Sequence, residues 1–320
     1  KGAFFCYTIS MKNTHIEHPE DSILNGDLSV LDWFTAKSDS ISVKIDGSPA
    51  IVWGRNPANG KQFVGTKSVF NKKLIKINHD HAEIDRNHQG KVATILHHCL
   101  DNLPSTECIF QGDFIGLGGS DFYTPNTITY VFPEIVTSNI IIAPHTQYFA
   151  EKDLRDAVAK PMEEFDKFMN FEDDDNVTWF NPPALLDEYG VEEDLKDKCN
   201  FAKQIATLCN FPKTKKHIAE IKKDINSYIR VGLELDDHAL SAISDDMNCD
   251  INVLRLWKLV ESIKMEMFEY IGTDLSVECY IMGENVGHEG YVMSNKFGTF
   301  KIVNRKIFSY ANFAISRSRV

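Results

Sequence analysis

The chain has 320 residues, 43% of them hydrophobic, so it can bury a sizeable core, and its length predicts about two domains. The composition excludes collagen-like and disordered classes, and no apolar run is long enough to span a bilayer. The net charge of −12 argues against indiscriminate nucleic-acid binding, but residues 151–270 alone carry −11 of it. The remainder holds two purely basic stretches. One contains Lys61, Lys67, Lys72, Lys73 and Lys76; the other contains Lys296, Lys301, Arg305, Lys306, Arg317 and Arg319. Each could form a local phosphate-binding face.

Seven cysteines, an odd number with no C-x-x-C, disfavour a disulfide framework or structural zinc site and predict a reducing compartment. The opening KGAFFCYTIS is too short and polar for a secretory signal. A cytoplasmic protein without membrane attachment is the expectation.

In chain order, residues 1–150 read mainly as strands and turns. A strand-rich segment from Ser42 to Trp53 surrounds Asp46-Gly47-Ser48-Pro49. The turn cluster Asn56–Gly60 predicts a hairpin to Gln62–Gly65. Val92, Ile95, Leu96, Cys99 and Leu103 follow helical spacing. Strands are expected again at Cys108–Ile115 and Thr127–Val136. Residues 151–271 read as an acidic helical insertion. Leu154 and Val158 predict a short helix ended by Pro161, which could open a second helix burying Phe165 and Phe168. Leu195–Leu208 and Leu254–Phe268 follow helical spacing, with Lys264 a polar exception on the second face. Strands return at Ser276–Met282 and Gly290–Met293.

Three segments carry the chemistry: Lys44-Ile45-Asp46-Gly47, Glu289-Gly290-Tyr291-Val292 and Phe300-Lys301-Ile302-Val303. A free lysine is protonated near neutral pH and becomes a nucleophile when burial and neighbouring cations lower its pKa. In this order the segments resemble the motifs of the covalent nucleotidyltransferases, the superfamily of ATP-dependent RNA and DNA ligases and mRNA capping enzymes. Gln111-Gly112-Asp113-Phe114 resembles that superfamily's ribose-contacting strand, although Glu is commoner at the place of Asp113. Thr129-Tyr130-Val131-Phe132 resembles its base-stacking strand.

The resemblance covers about 1–150 and 272–320. It implies an α+β fold, an antiparallel-sheet nucleotidyltransferase module in two sequence pieces (1–150 and 272–320) around the helical insertion 151–271. It implies Lys44 as nucleophile, Glu289 as ligand of Mg²⁺ or Mn²⁺, and Lys301 as neutraliser of charge on the α-phosphate. Asp46, Gly47, Lys67, Asp113, Tyr130 and Phe132 would contact the nucleotide, ATP. Two departures stand out. Pro49 replaces an Arg common after the first motif, with Arg55 as a possible substitute, and Val303 replaces a second lysine of the last motif. Arg305 is the expected replacement there, on a strand face shared with Lys301.

About twenty residues follow Lys301, too few for the OB-fold domain of DNA ligases. This directs the expectation to an RNA-ligase-like enzyme acting on RNA rather than DNA, with a protein partner possible through the insertion. DNA nick joining, capping-type guanylylation, protein nucleotidylation and a non-catalytic nucleotide-binding protein are the alternatives. Segments around His15–Asp21, Asn56–Ser68, Gln111–Asp113 and Pro125–Ile128 also resemble proteins of large tailed phages, which implies a viral origin and a host-cytoplasmic location. His79-Asp80-His81 and His97-His98 contain metal-ligating types without partners at a known spacing. Gly116-Leu117-Gly118-Gly119 lacks the Lys-Ser/Thr of a phosphate loop.

Overall fold

A computed structural model describes residues 16–161, 171–309 and 311. Among them the chain is α+β with mostly antiparallel sheets. It divides into two compact units, each assembled from separate stretches of sequence.

In the first unit, five strands lie in the order Gln62–Gly65, Ala50–Arg55, Ile109–Leu117, Ile140–Phe149, Val158–Pro161, and Val177–Trp179 adds a parallel pair to Ile140–Phe149. The period-two pattern puts apolar residues on both sides. Ile51, Trp53, Phe110, Phe114 and Ile142 face one way with Ile95, Leu96 and Cys99 of the Gly90–Asn102 helix. Val52, Phe63, Ile109 and Tyr148 face the other way with Val69 and Leu154. The expected hairpin is present, with Val52 opposite Gly65 and Arg55 opposite Gln62.

The second unit contains a three-stranded antiparallel sheet in the order Ser40–Val43, Gly290–Asn295, Gly298–Val303. Around it run the helices Glu188–Ala206, Lys215–Arg230, Asp237–Met247 and Ile251–Glu269. Asp, Thr or Asn-type capping explains their starts: the side chains of Asp187, Thr214, Asp236 and Asp250 each accept a first-turn amide. The last helix buries Leu254, Trp257, Val260 and Met267 on one stripe.

Three expectations need correction. Residues 154–161 form a 3-10 turn at Leu154–Asp156 and a strand at Val158–Pro161, because the latter pairs with Ile140–Phe149. The division between units does not fall at residue 150: residues 131–181 stay with the first unit through these strand pairings, and the helices of 182–271 join the second unit with 16–44 and the C-terminal strands. Only Thr129–Val131 of the stretch expected to be extended over Thr127–Val136 is a strand, and Pro133 follows directly after Phe132. The expected helix burying Phe165 and Phe168 lies outside the described residues, as do Arg317 and Arg319.

Candidate functional site

The cross-strand register of the second unit sorts its sheet into two faces. Tyr291 pairs with Val43 and Ile302, and Met293 pairs with Phe300; these side chains are buried. The alternate rows are Ser40–Ser294–Thr299 and Ser42–Val292–Lys301. Lys44 extends the ladder by donating its amide to the Gly290 carbonyl at 2.7 Å. Being two residues after Ser42, it presents its side chain on the Lys301 face. Between Lys44 and Val303 stands Gly290, with φ +140°; a Cβ there would lie 2.2 Å from the Ile302 carbonyl oxygen. Only glycine fits, and its missing side chain lets the two backbones approach closely at this point of the sheet.

Glu289, immediately before this strand, accepts a hydrogen bond from Lys44 Nζ at 2.6 Å. The carboxylate side chain is only 9% exposed and the lysine 23%. Preceding it, His288 stacks on Phe268 and makes a 2.9 Å contact from Nε2 to the Tyr291 hydroxyl, which fixes the backbone leading to Glu289. The segment Glu17–His18 runs alongside the third strand, the Glu17 carbonyl accepting from the Lys301 amide at 3.1 Å.

Beneath this lies a buried ionic network. Glu20 Oε1 accepts from Lys264 Nζ at 2.8 Å and from Arg305 Nη1 at 3.2 Å, and Glu20 and Lys264 are both fully buried. Asp21 Oδ1 accepts from Arg305 Nη1 at 3.0 Å and from Trp257 Nε1 at 3.1 Å, while Arg305 Nη2 donates to Asn226. Burial pushes the Lys301 ammonium below the ordinary lysine range, Lys44 and Arg305 push the same way, and Glu289 and Asp21 oppose them. Burial, and then the charges of Arg305, Lys264, Lys301 and Lys44, hold His18 far below the histidine range, so it is neutral at pH 7. Lys44, Lys264, Lys301 and Arg305 outnumber Glu20, Asp21 and Glu289, which leaves the cluster attractive to an anion.

A second cluster lies in the first unit. Asp46 Oδ2 accepts from Asn126 Nδ2 at 2.7 Å. Gly47 is pressed against the Phe114 strand; a Cβ there would come 2.6 Å from the Phe114 carbonyl oxygen. Asp113 pairs across strands with Ala50, and its Oδ2 lies 3.4 Å from the Gly47 amide. Its other oxygen is 3.6 Å from His145 Nε2. His145 is the extra residue of a bulge, since Gln111 pairs with Thr146 but Gly112 with Pro144. Bulges re-aim side chains, and this one turns His145 toward Asp113 and Gln111. Lys67 is exposed two residues after Gly65, which pairs with Val52, so it sits at the Pro49 end of its neighbouring strand.

Thus Lys44, Glu289 and Lys301 are assembled in one unit and Asp46, Gly47, Asp113 and Lys67 in the other; the Lys44-Ile45-Asp46-Gly47 segment itself crosses from one unit to the other after Lys44. Arg55 is a correction: it ends the Ala50–Arg55 strand, roughly 20 Å along the chain from Pro49 at about 3.3 Å per residue, and pairs with Glu107. Arg305 is another. The strand stops at Val303, helical backbone begins at 305, and the guanidinium, 4% exposed, is spent on Glu20, Asp21 and Asn226. Tyr130 is a core residue at 1% exposure, and Phe132 packs edge-on against Tyr123. No charge-network or site role was assigned from the sequence to His18, Glu20, Asp21, Lys264, His145 or His288. The charged Lys264 on an apolar helix stripe was the one signal that could have found the buried network.

The model of a family of unknown function, DUF6267, matches residues 13–251 and 214–317. The chain belongs to this family. No curated protein and no solved structure matches the chain. For this member of DUF6267, no described helix is long and apolar enough to cross a membrane. No group of three or more His, Cys, Asp or Glu side chains able to hold a metal ion occurs among the described residues.

Proposed function

We propose that the protein is an ATP-dependent polynucleotide ligase of the RNA-ligase type, with an antiparallel-sheet nucleotidyltransferase module, acting through a covalent lysyl-AMP on Lys44. The observation that carries this reading is the pairing of Lys44 Nζ with Glu289 Oε1 at 2.6 Å on the sheet face that also bears Lys301. Residues 245 positions apart in sequence are joined there as the three motifs require. In the reaction, deprotonated Lys44 Nζ attacks the α-phosphorus of ATP. The N–P bond forms, the P–O bond to pyrophosphate breaks, and the lysine proton passes to solvent. A 5′-phosphate oxygen of the polynucleotide then attacks the same phosphorus and frees the lysine. Last, a 3′-hydroxyl attacks the activated 5′-phosphate, and AMP leaves as the strand is joined.

Lys301 would offset charge on the α-phosphate oxygens. Its half-buried place makes that interaction stronger than in water. The resemblance assigns the ribose contact to Asp113 and further nucleotide contacts to Asp46, Gly47 and Lys67, all of the first unit. Phe132 remains as the stacking candidate, since Tyr130 is committed to the core.

Such transfer uses Mg²⁺ or Mn²⁺, and the donor chemistry fits. Magnesium is held by one or two carboxylates together with substrate phosphates rather than by an all-protein cage, and Glu289 supplies the carboxylate. When bound, the cation would neutralise phosphate charge. Residues 182–271 of the second unit carry a net charge of −5, which disfavours broad backbone contact and favours a specific RNA or a protein partner.

The test is incubation with α-labelled ATP, and separately GTP, with Mg²⁺ or Mn²⁺, followed by a denaturing gel. Label from ATP that is retained by the wild type and absent from Lys44→Ala is the expected result. Label from GTP alone would replace ligation by capping-type chemistry. No label from either would leave a nucleotide-binding protein without turnover.

A further inference from the structure

Two of the histidines that the sequence left without partners, His81 and His97, meet in the first unit. His81 opens the His81–Asn87 helix, and His97 lies on the Gly90–Asn102 helix. Their Nδ1 atoms face each other at 2.7 Å, with ring centroids 5.0 Å apart and planes within 22°. The opposite nitrogens are tied reciprocally across the two helices. His81 Nε2 lies 3.0 Å from Asp101 Oδ1, and His97 Nε2 lies 3.0 Å from Asp85 Oδ1.

A carboxylate only accepts, so each Nε2 carries hydrogen. In the neutral tautomer that this leaves, Nδ1 is the lone-pair nitrogen. Two such lone pairs aimed at each other repel unless something positive lies between them. Imidazoles that donate the far N–H to a carboxylate are also the usual form of metal-ligating histidine, the carboxylate fixing the ring and raising its basicity. Here both rings have that support.

We propose that His81 and His97 form a binding site for a divalent transition metal, Zn²⁺ by preference, bound through the two Nδ1 atoms. Zinc–nitrogen bonds of about 2.0–2.1 Å at a tetrahedral angle place the nitrogens about 3.3 Å apart. The pair must therefore open by about 0.6 Å, which side chains 53% and 29% exposed reach by small rotations. That exposure leaves the other coordination positions to water. Asp85 and Asp101 balance the dipositive charge, and nitrogen ligands favour Zn²⁺, Cu²⁺ or Ni²⁺ over Mg²⁺ and Ca²⁺. The site is independent of the Lys44 chemistry and would fasten the two helices to each other.

Isothermal titration of the tag-free full chain with ZnCl₂ at pH 7.5 tests it. One Zn²⁺ per chain is expected, lost in His81→Ala and in His97→Ala, weakened about tenfold in Asp85→Asn, and retained in His98→Ala. Circular dichroism of each variant checks that the fold is kept. X-ray absorption at the zinc edge should show two imidazole nitrogens. Absence of saturable uptake, or uptake that survives both histidine substitutions, overturns the site and leaves the contact as a proton shared between the two rings.

Discussion

Lys301 shows how the candidate chemistry conflicts with stability. Its folded pKa is lowered, chiefly by burial, so the charged form is penalised in the native state. The unfolded chain binds more protons between that lowered value and the ordinary value near 10.4. Stability therefore rises with pH across that window, and the penalty is fully present below it. Replacing Lys301→Met removes the penalty. The variant is expected to melt no lower than wild type at pH 7, and to lose the alkaline rise in a melting series from pH 7 to 10. Under the proposed function it also loses labelling from ATP by about 10²-fold or more. A lower melting temperature at pH 7 would refute the electrostatic account. Lys44, Glu289 and Lys301 were legible as candidates because each stands in a short local motif, and the second unit holds all three. The sequence misplaced Arg55 and Arg305 because salt-bridge partners distant in sequence, Glu107 in one case and Glu20 with Asp21 in the other, decide where a guanidinium goes.

Among the elements, the Ile251–Glu269 helix is held to the short Pro19–Ile23 helix through Lys264 and Glu20, an ion pair with no exposed surface. Removing Lys264 leaves the buried Glu20 carboxylate with Arg305 alone, which it shares with Asp21, in a medium that cannot solvate it. Lys264→Ala is expected to cost about 3–5 kcal/mol in urea unfolding. A double change, Lys264→Met with Glu20→Gln, should recover much of that loss, and a double variant no better than the single one would contradict it. Helices with strong local periodicity, Gly90–Asn102 and Ile251–Glu269, were legible from sequence. The Lys215–Arg230 helix was missed although Ile221, Ile225 and Ile229 line its buried stripe, because charged residues fill the rest of its turns. The Ile140–Phe149 strand was missed because its buried run Ile140–Ala143 lacks alternation, the mark of a strand covered on both sides.

For the molecule as a whole, acid sensitivity should trace to His18. Its folded pKa is lowered and the unfolded value is near 6.5, so protons bind preferentially to the unfolded chain once the pH falls below that value. Stability is unaffected above it and declines progressively beneath it. A neutral His18→Gln variant is expected to flatten the decline between pH 6.5 and 5 in thermal melts; an unchanged slope would assign the loss to other groups. The α+β class with antiparallel sheets was implied by the resemblance, whereas the division of the chain into units was not legible, since pairing between distant strands leaves no local mark. That interleaving also sets an order on synthesis. The strands of the first unit's sheet have all been made once residue 179 is complete. The Ser40–Val43 strand, made much earlier, has no place to pair until residue 290 and its successors leave the ribosome. Throughout that interval Lys44 remains on a nascent chain without Glu289, so the ammonium cannot be set beside its carboxylate until the segment 245 residues further on has been made.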